Sequence, residues 1–135
     1  MSYDIKDFFL YSLMCKPKYM KMKFSIFPQD IVDQYNLADK VAPDGYIYIK
    51  INKGMYGLKE AAVLAYEQLS KFLNTYGYHH VPGTAGVWSH TTKPTSVCLC
   101  VDDITLKYYN TDDLQHFLTA LENHYKYHLD MQGTL

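Results

Sequence analysis

An unbroken apolar run, Val97-Cys98-Leu99-Cys100-Val101, stops abruptly at two acids, Asp102-Asp103. So short a run reads as a strand, and apolar side chains on both alternating faces mark it as a central strand of a sheet. Ending such a strand in adjacent carboxylates costs charge repulsion and desolvation. A hard metal ion offsets that cost, because Mg²⁺ is held by a few carboxylates together with substrate phosphates. The pair has a plainer reading too, since aspartate favours tight turns and suits a hairpin bend. A third acid, Asp4, stands near the start of another apolar run, Ile5 to Leu10, 98 positions earlier (102 − 4). Asp4 and Asp102 can meet only if their strands are neighbours in one sheet.

The 135 residues suffice for one domain with a core and are too few for two of ordinary size. A hydrophobic content of 48% with 20% charged residues describes a globular chain, and no apolar stretch reaches the ~20 residues a membrane span needs. The N-terminus lacks the cationic, apolar and small-residue succession of a secretory signal. A net charge of −1 gives no global positive field toward nucleic acid, so any such binding is local or comes from other parts of a longer protein. The 14 tyrosines could stack on bases, but half-buried strand and helix positions with a wet hydroxyl account for them. Cys98 and Cys100 share a strand face and cannot easily bridge each other, so with Cys15 they read as reduced core thiols in an intracellular compartment.

Along the chain, residues 2–11 read as a short strand running into a helical bend, and 19–24 alternate apolar and basic as a half-exposed strand. There the lysines face water or a backbone phosphate. Pro28 opens a short helix over 29–36, and Pro43-Asp44-Gly45 turns into a strand over 46–51. Leu58, Ala61, Ala62, Ala65, Leu69, Phe72, Leu73 and Tyr76 fall at helical spacing and stop before Gly77, a natural cap residue. Strands follow at Val87-Trp88 and 95–101, with Asp102-Asp103 in the bend and 104–109 returning. Thr111 is placed to cap a last helix, with Asp112 and Asp113 at its positive end and Leu114, Phe117, Leu118, Leu121 and Tyr125 on its apolar face. The order β, β, α, β, α, β, β, α gives an α+β fold with helices packed on one face of a mainly antiparallel sheet.

Three segments stand in a telling order: Ser2-Tyr3-Asp4-Ile5-Lys6-Asp7-Phe8-Phe9-Leu10, then Gly54-Met55-Tyr56-Gly57-Leu58-Lys59-Glu60-Ala61-Ala62, then Cys100-Val101-Asp102-Asp103. Together they resemble the reverse transcriptase palm of a copia-type LTR retrotransposon polyprotein, whose segments read roughly D-V-K-x-A-F-L, L-Y-G-L-K-Q-A-P and Y-V-D-D. The resemblance covers most of the chain. It implies a polymerase palm-like (ferredoxin/RRM-like) antiparallel sheet and a single partial reverse transcriptase domain over 1–135, palm with part of the fingers, with thumb, connection and RNase H absent. It departs from the pattern at Cys100 (usually aromatic), Glu60 (commonly glutamine) and Ala62 (proline). Glu60 would add negative charge near a bound triphosphate.

By position, the resemblance implies that Asp4, Asp102 and Asp103, with the Ile5 carbonyl, hold two Mg²⁺ ions, Mn²⁺ being an alternative. Asp7 and Phe8 would offer amides to an incoming dNTP, Phe9 would crowd the sugar 2′ position, and Tyr56 and Gly57 would pack near the nucleotide and template. Each also has a plain reading: Phe9 as core, Tyr56-Gly57 as a helix-entry turn, Asp7 as a solvated acid. The implied partners are an RNA or DNA template with primer, dNTP and the remaining polyprotein domains, with no membrane. The implied location is intracellular, in a cytoplasmic virus-like particle or the nucleus. The isolated chain is expected to extend primers little, since fingers and thumb supply most substrate contacts; the alternatives are an inactive transposon remnant and a stand-alone α+β interaction domain. A zinc site from His116, His124 and His128 is disfavoured, since 116 and 124 lie two helical turns apart and no cysteine pair has finger spacing. Lys107 is placed near the acids and Lys126 at the active-site rim as a proton donor to pyrophosphate, each against a plain surface reading.

Overall fold

The computed structural model describes residues 1–131, with the side chains of 130 and 131 excepted. Its elements in chain order are β1 (Ser2–Ile5), β2 (Leu13–Lys23), α1 (Gln29–Tyr35), β3 (Tyr46–Lys53), α2 (Lys59–Thr75), β4 (Tyr78–His80), β5 (Val87–His90), β6 (Ser96–Cys100), β7 (Asp103–Lys107), α3 (Thr111–Glu122) and β8 (Tyr127–Met131), with 3-10 turns at Phe8–Tyr11, Phe24–Ile26 and Leu37–Lys40. The fold is α+β, as the element pattern requires. The chain forms two compact units, Met1–Leu13 with Lys53–Leu135, and Met14–Asn52.

The larger unit is built on a six-stranded sheet in the order β4-β5-β6-β7-β1-β8, every neighbouring pair antiparallel. One face is dry. Tyr3, Ile5, Tyr78, Trp88, Val97, Ile104 and Leu106 are buried on it. Both long helices cover this same face: Tyr66 of α2 packs against Trp88 with ring centroids 5.4 Å apart, and Phe117 of α3 lies 5.7 Å from Tyr78. Ala61, Ala65, Leu69, Phe72 and Leu73 are the buried positions of α2, the 3.6-residue stripe of the sequence. Burying that stripe against the sheet stabilises the helix far more than its intrinsic propensity does.

The other face of the sheet is open, which corrects two expectations. The run 97–101 lies in an interior strand but is dry on one side only: Val97 is buried, while Cys98 and Cys100 are exposed. The cysteines are therefore not core thiols, and Cys15 is exposed as well. Alternation decided this, because small apolar side chains are tolerated on a wet face and mimic a doubly buried strand. The tyrosines divide similarly: Tyr3, Tyr78 and Tyr125 are buried, whereas Tyr19, Tyr35, Tyr48, Tyr56 and Tyr109 are largely exposed.

Three further differences concern ends of elements. The cap of α3 is Asn110, not Thr111; its Oδ1 accepts from the Asp113 amide at 2.8 Å. Asp113 in the first turn of α3 is buried, and Lys93 pairs with it at 3.2 Å. The terminal strand β8 pairs with β1 beyond the last element expected from periodicity. It carries no turn signal, and its pairing with a strand more than a hundred residues away leaves no local trace.

In the smaller unit, β2 and β3 form a two-stranded sheet, and Val32, Leu37 and Ile47 are its buried core with Phe24, Phe27, Ile31, Val41 and Ile49 against them. The alternating lysines behave as surface residues. Lys21 bonds Asp44 at 2.8 Å and lies 4.2 Å above the Tyr46 ring. Such exposed pairs contribute little to stability.

Burial raises the phenols of Tyr78 and Tyr125 to about 12, Asp113 adding to the first and Tyr11 to the second. A raised pKa in the folded state means stability that is complete below pH 10 and lost as pH climbs toward 12, because the unfolded chain gives up these protons first. A two-unit rise corresponds to roughly 1–3 kcal/mol per buried phenol. The urea midpoint is expected to be flat from pH 8 to 9.5 and to fall steeply by pH 11; a midpoint unchanged at pH 11 contradicts the burial of these rings.

Candidate active site

The hairpin joining β6 to β7 brings the acids together. Its two turn residues are Val101 and Asp102, so Asp103 already belongs to β7 and only Asp102 sits in the bend. Val101 has φ 62°, a left-handed conformation that a β-branched residue rarely adopts and that costs about 1–3 kcal/mol. Its side chain is largely exposed, so nothing apolar is gained in return. The strain fixes where the Asp102 carboxylate leaves the sheet.

Strand β1 lies directly beside β7, which meets the one condition the sequence sets for Asp4. Asp4 is the register partner of Asp103, and the Ile5 amide donates to the Asp102 carbonyl at 3.2 Å. Partners in an antiparallel pair project to the same face with Cβ atoms about 5 Å apart. Like charges directly opposite each other repel. The same row continues on both sides, Cys100 opposite Asp103 and His128 opposite Asp4. The sequence groups His128 with His116 and His124 alone; register places it beside Asp4.

Tyr56 completes the cluster from the turn before α2. Its hydroxyl donates to Asp102 Oδ2, and its ring meets the Phe9 ring edge-on with centroids 4.6 Å apart. The Tyr56 phenol is held up at about 12, first by that hydrogen bond, then by desolvation, then by the fields of Asp102, Asp4 and Asp103.

Backbone approach fixes the other members. The Gly54 amide donates to the Ser12 carbonyl at 2.8 Å, and a Cβ on Gly54 would stand 2.5 Å from the Phe9 carbonyl oxygen, so glycine is required. Gly57 has φ 86° and turns the chain into α2. Asp7 is exposed, with φ 56°, and opens the 3-10 turn that carries Phe8 and Phe9. Phe8 packs 6.0 Å from Tyr125 in the core; Phe9 is buried too, yet its ring reaches Tyr56. The plain reading of Phe9 as core and the functional one thus describe the same position.

Of the two lysines considered, Lys107 lies at the far end of β7 from Asp103, its Nζ 5.4 Å above the Tyr109 ring, and is no neighbour of the acids. Lys126 is nearer: its carbonyl accepts from the Lys6 amide at 2.9 Å, just past the end of β1.

The donor set fits a hard divalent cation. Three carboxylates and the Ile5 carbonyl lie at one end of two neighbouring strands, all oxygen ligands of the kind Mg²⁺ takes. Among the described residues, no three His, Cys, Asp or Glu side chains already surround a common point. The Asp102 carboxylate is instead held by Tyr56.

Residues 38–132 match the reverse transcriptase (RNA-dependent DNA polymerase) family. The chain belongs to that family. Its segments are of the retrotransposon, copia-like kind. No solved structure matches the chain. Membership in the reverse transcriptases implies a nucleic-acid template and use of a divalent metal. The match contains Tyr56, Gly57, Asp102 and Asp103, whereas Asp4, Ile5, Asp7, Phe8 and Phe9 precede it. Among the described residues, no helix is long and apolar enough to cross a membrane.

Proposed function

We propose that this reverse transcriptase domain carries the palm of an RNA- and DNA-directed DNA polymerase, with Asp4, Asp102, Asp103 and the Ile5 carbonyl as its metal-binding group. The observation that carries the reading is the β1–β7 register, which sets Asp4 opposite Asp103 beside the hairpin turn that bears Asp102. Two Mg²⁺ ions bound there would favour ionisation of a primer 3′-hydroxyl and neutralise charge on a departing pyrophosphate. Asp4 and Asp103, opposed across two strands, hold negative charge at a fixed separation that a cation relieves. The Asp7 and Phe8 amides would bind phosphate oxygens, Phe9 would limit room at the sugar 2′ position, and Tyr56 with Gly57 would border the base.

A second reading, an inactive remnant that keeps the fold, is favoured by the lack of three ligating side chains around one point among the described residues. Nucleotide binding separates the two. Fluorescence anisotropy with a labelled dNTP is expected to show binding that requires Mg²⁺ and falls at least about tenfold in Asp102→Asn, a loss of roughly 1.4 kcal/mol or more. Binding that ignores Mg²⁺, or no binding at all, favours the remnant.

A further inference from the structure

The Tyr56–Asp102 hydrogen bond joins residues 46 positions apart and engages a carboxylate that the proposed site needs for metal. We propose that Tyr56 is a latch: its hydroxyl holds Asp102 Oδ2 in the metal-free chain and competes with an ion for that oxygen, so that metal binding through Oδ2 and repositioning of the Tyr56 ring are coupled. This rests on the metal-site reading above.

The surroundings of Tyr56 suit such a movement. The residue is 61% exposed, so swinging away loses little buried surface. The residue that follows, Gly57, has a positive φ and no neighbour within 4 Å of a Cβ position, which leaves the backbone there free of packing. On the other side, Gly54 is wedged against the Phe9 carbonyl and anchors the turn. The movable part is therefore the short segment between a fixed glycine and a loose one. What holds the latch shut is the hydroxyl on Asp102 and the edge contact with Phe9.

The consequence is a tax on metal affinity. A carboxylate available only a fraction of the time binds its ion more weakly by that fraction. A hydrogen bond to a charged acceptor at an exposed site makes that fraction about one tenth. The ring that leaves Asp102 is also the one that meets Phe9, so opening the latch uncovers the Phe9 ring at the position proposed for the sugar. Metal and nucleotide would then each favour the other's binding, because both require the open position.

The test is Mn²⁺ binding to the full chain, read from loss of the free-ion EPR signal, for the native chain and for Tyr56→Phe and Asp102→Asn. Tyr56→Phe keeps the ring on Phe9 and removes only the hydroxyl; urea midpoints verify that each variant is folded. The expected result is about tenfold tighter Mn²⁺ binding by Tyr56→Phe than by the native chain, and loss of that gain in the double variant with Asp102→Asn. Equal affinities overturn the latch and leave the metal site standing. Weaker binding by Tyr56→Phe also overturns it, showing that the hydroxyl supports the metal rather than competing with it. Mn²⁺ bound by neither chain, or bound unchanged in Asp102→Asn, overturns the metal-site reading and the latch with it.

Discussion

Asp102→Asn is expected to weaken Mn²⁺ binding by about a hundredfold while leaving the urea midpoint within about 0.5 kcal/mol of the native value, since ligand charge sets the affinity of an oxygen site. The side chain stands half-buried in a two-residue turn, and the fold contribution seen for it is the bond from Tyr56, which an asparagine oxygen can still accept. The backbone contact from the Ile5 amide to its carbonyl survives the substitution. Calorimetric titration with Mn²⁺ alongside urea melts reads both quantities. A variant that loses stability in step with affinity would show that Asp102 serves the hairpin, as an ordinary turn aspartate does.

The second large effect is steric. Gly54→Ala drives a Cβ to 2.5 Å from the Phe9 carbonyl oxygen and 3.1 Å from the Ala61 Cβ, so backbone must move against backbone. Overpacking of this kind costs about 3 kcal/mol. The displaced segment carries Asp7, Phe8 and Phe9, and dNTP binding is expected to fall together with stability. Gly57→Ala gives the contrast: nothing stands within 4 Å, and only the φ of 86° opposes a side chain, for a loss of about 1–2 kcal/mol. Urea melts of the two variants measure the difference; a Gly54→Ala chain as stable as Gly57→Ala would contradict the wedge between Gly54 and Phe9.

Much of the architecture is written locally. The stripe from Ala61 to Leu73 and the one through Phe117 and Leu121 give their helices because a 3.6-residue period has no strand equivalent, and both bury except at Ala62, which is exposed on the outer side of α2. The condition that Asp4 and Asp102 lie on neighbouring strands follows from chemistry, and the β1–β7 register satisfies it. What local pattern could not show is pairing at long range. β8, the bond from Tyr56 to Asp102 and the ion pair of Lys93 with Asp113 each join segments whose own sequences carry no sign of the partner. Cys98 and Cys100 misled for another reason: side-chain polarity tells which face can be dry, and a small thiol is content on either.

The position of Asp4 matters most, because it lies 34 residues before the stretch that matches the reverse transcriptases (38 − 4) and its role rests on strand register alone. Mn²⁺ titration of Asp4→Asn therefore tests the proposed metal centre more directly than any change inside the matched region. A loss of at least about tenfold in affinity with the fold intact is expected, since one of the three proposed carboxylate ligands is removed. Mn²⁺ binding equal to that of the native chain would contradict it, leaving Asp4 a strand residue that faces Asp103 without sharing its ion.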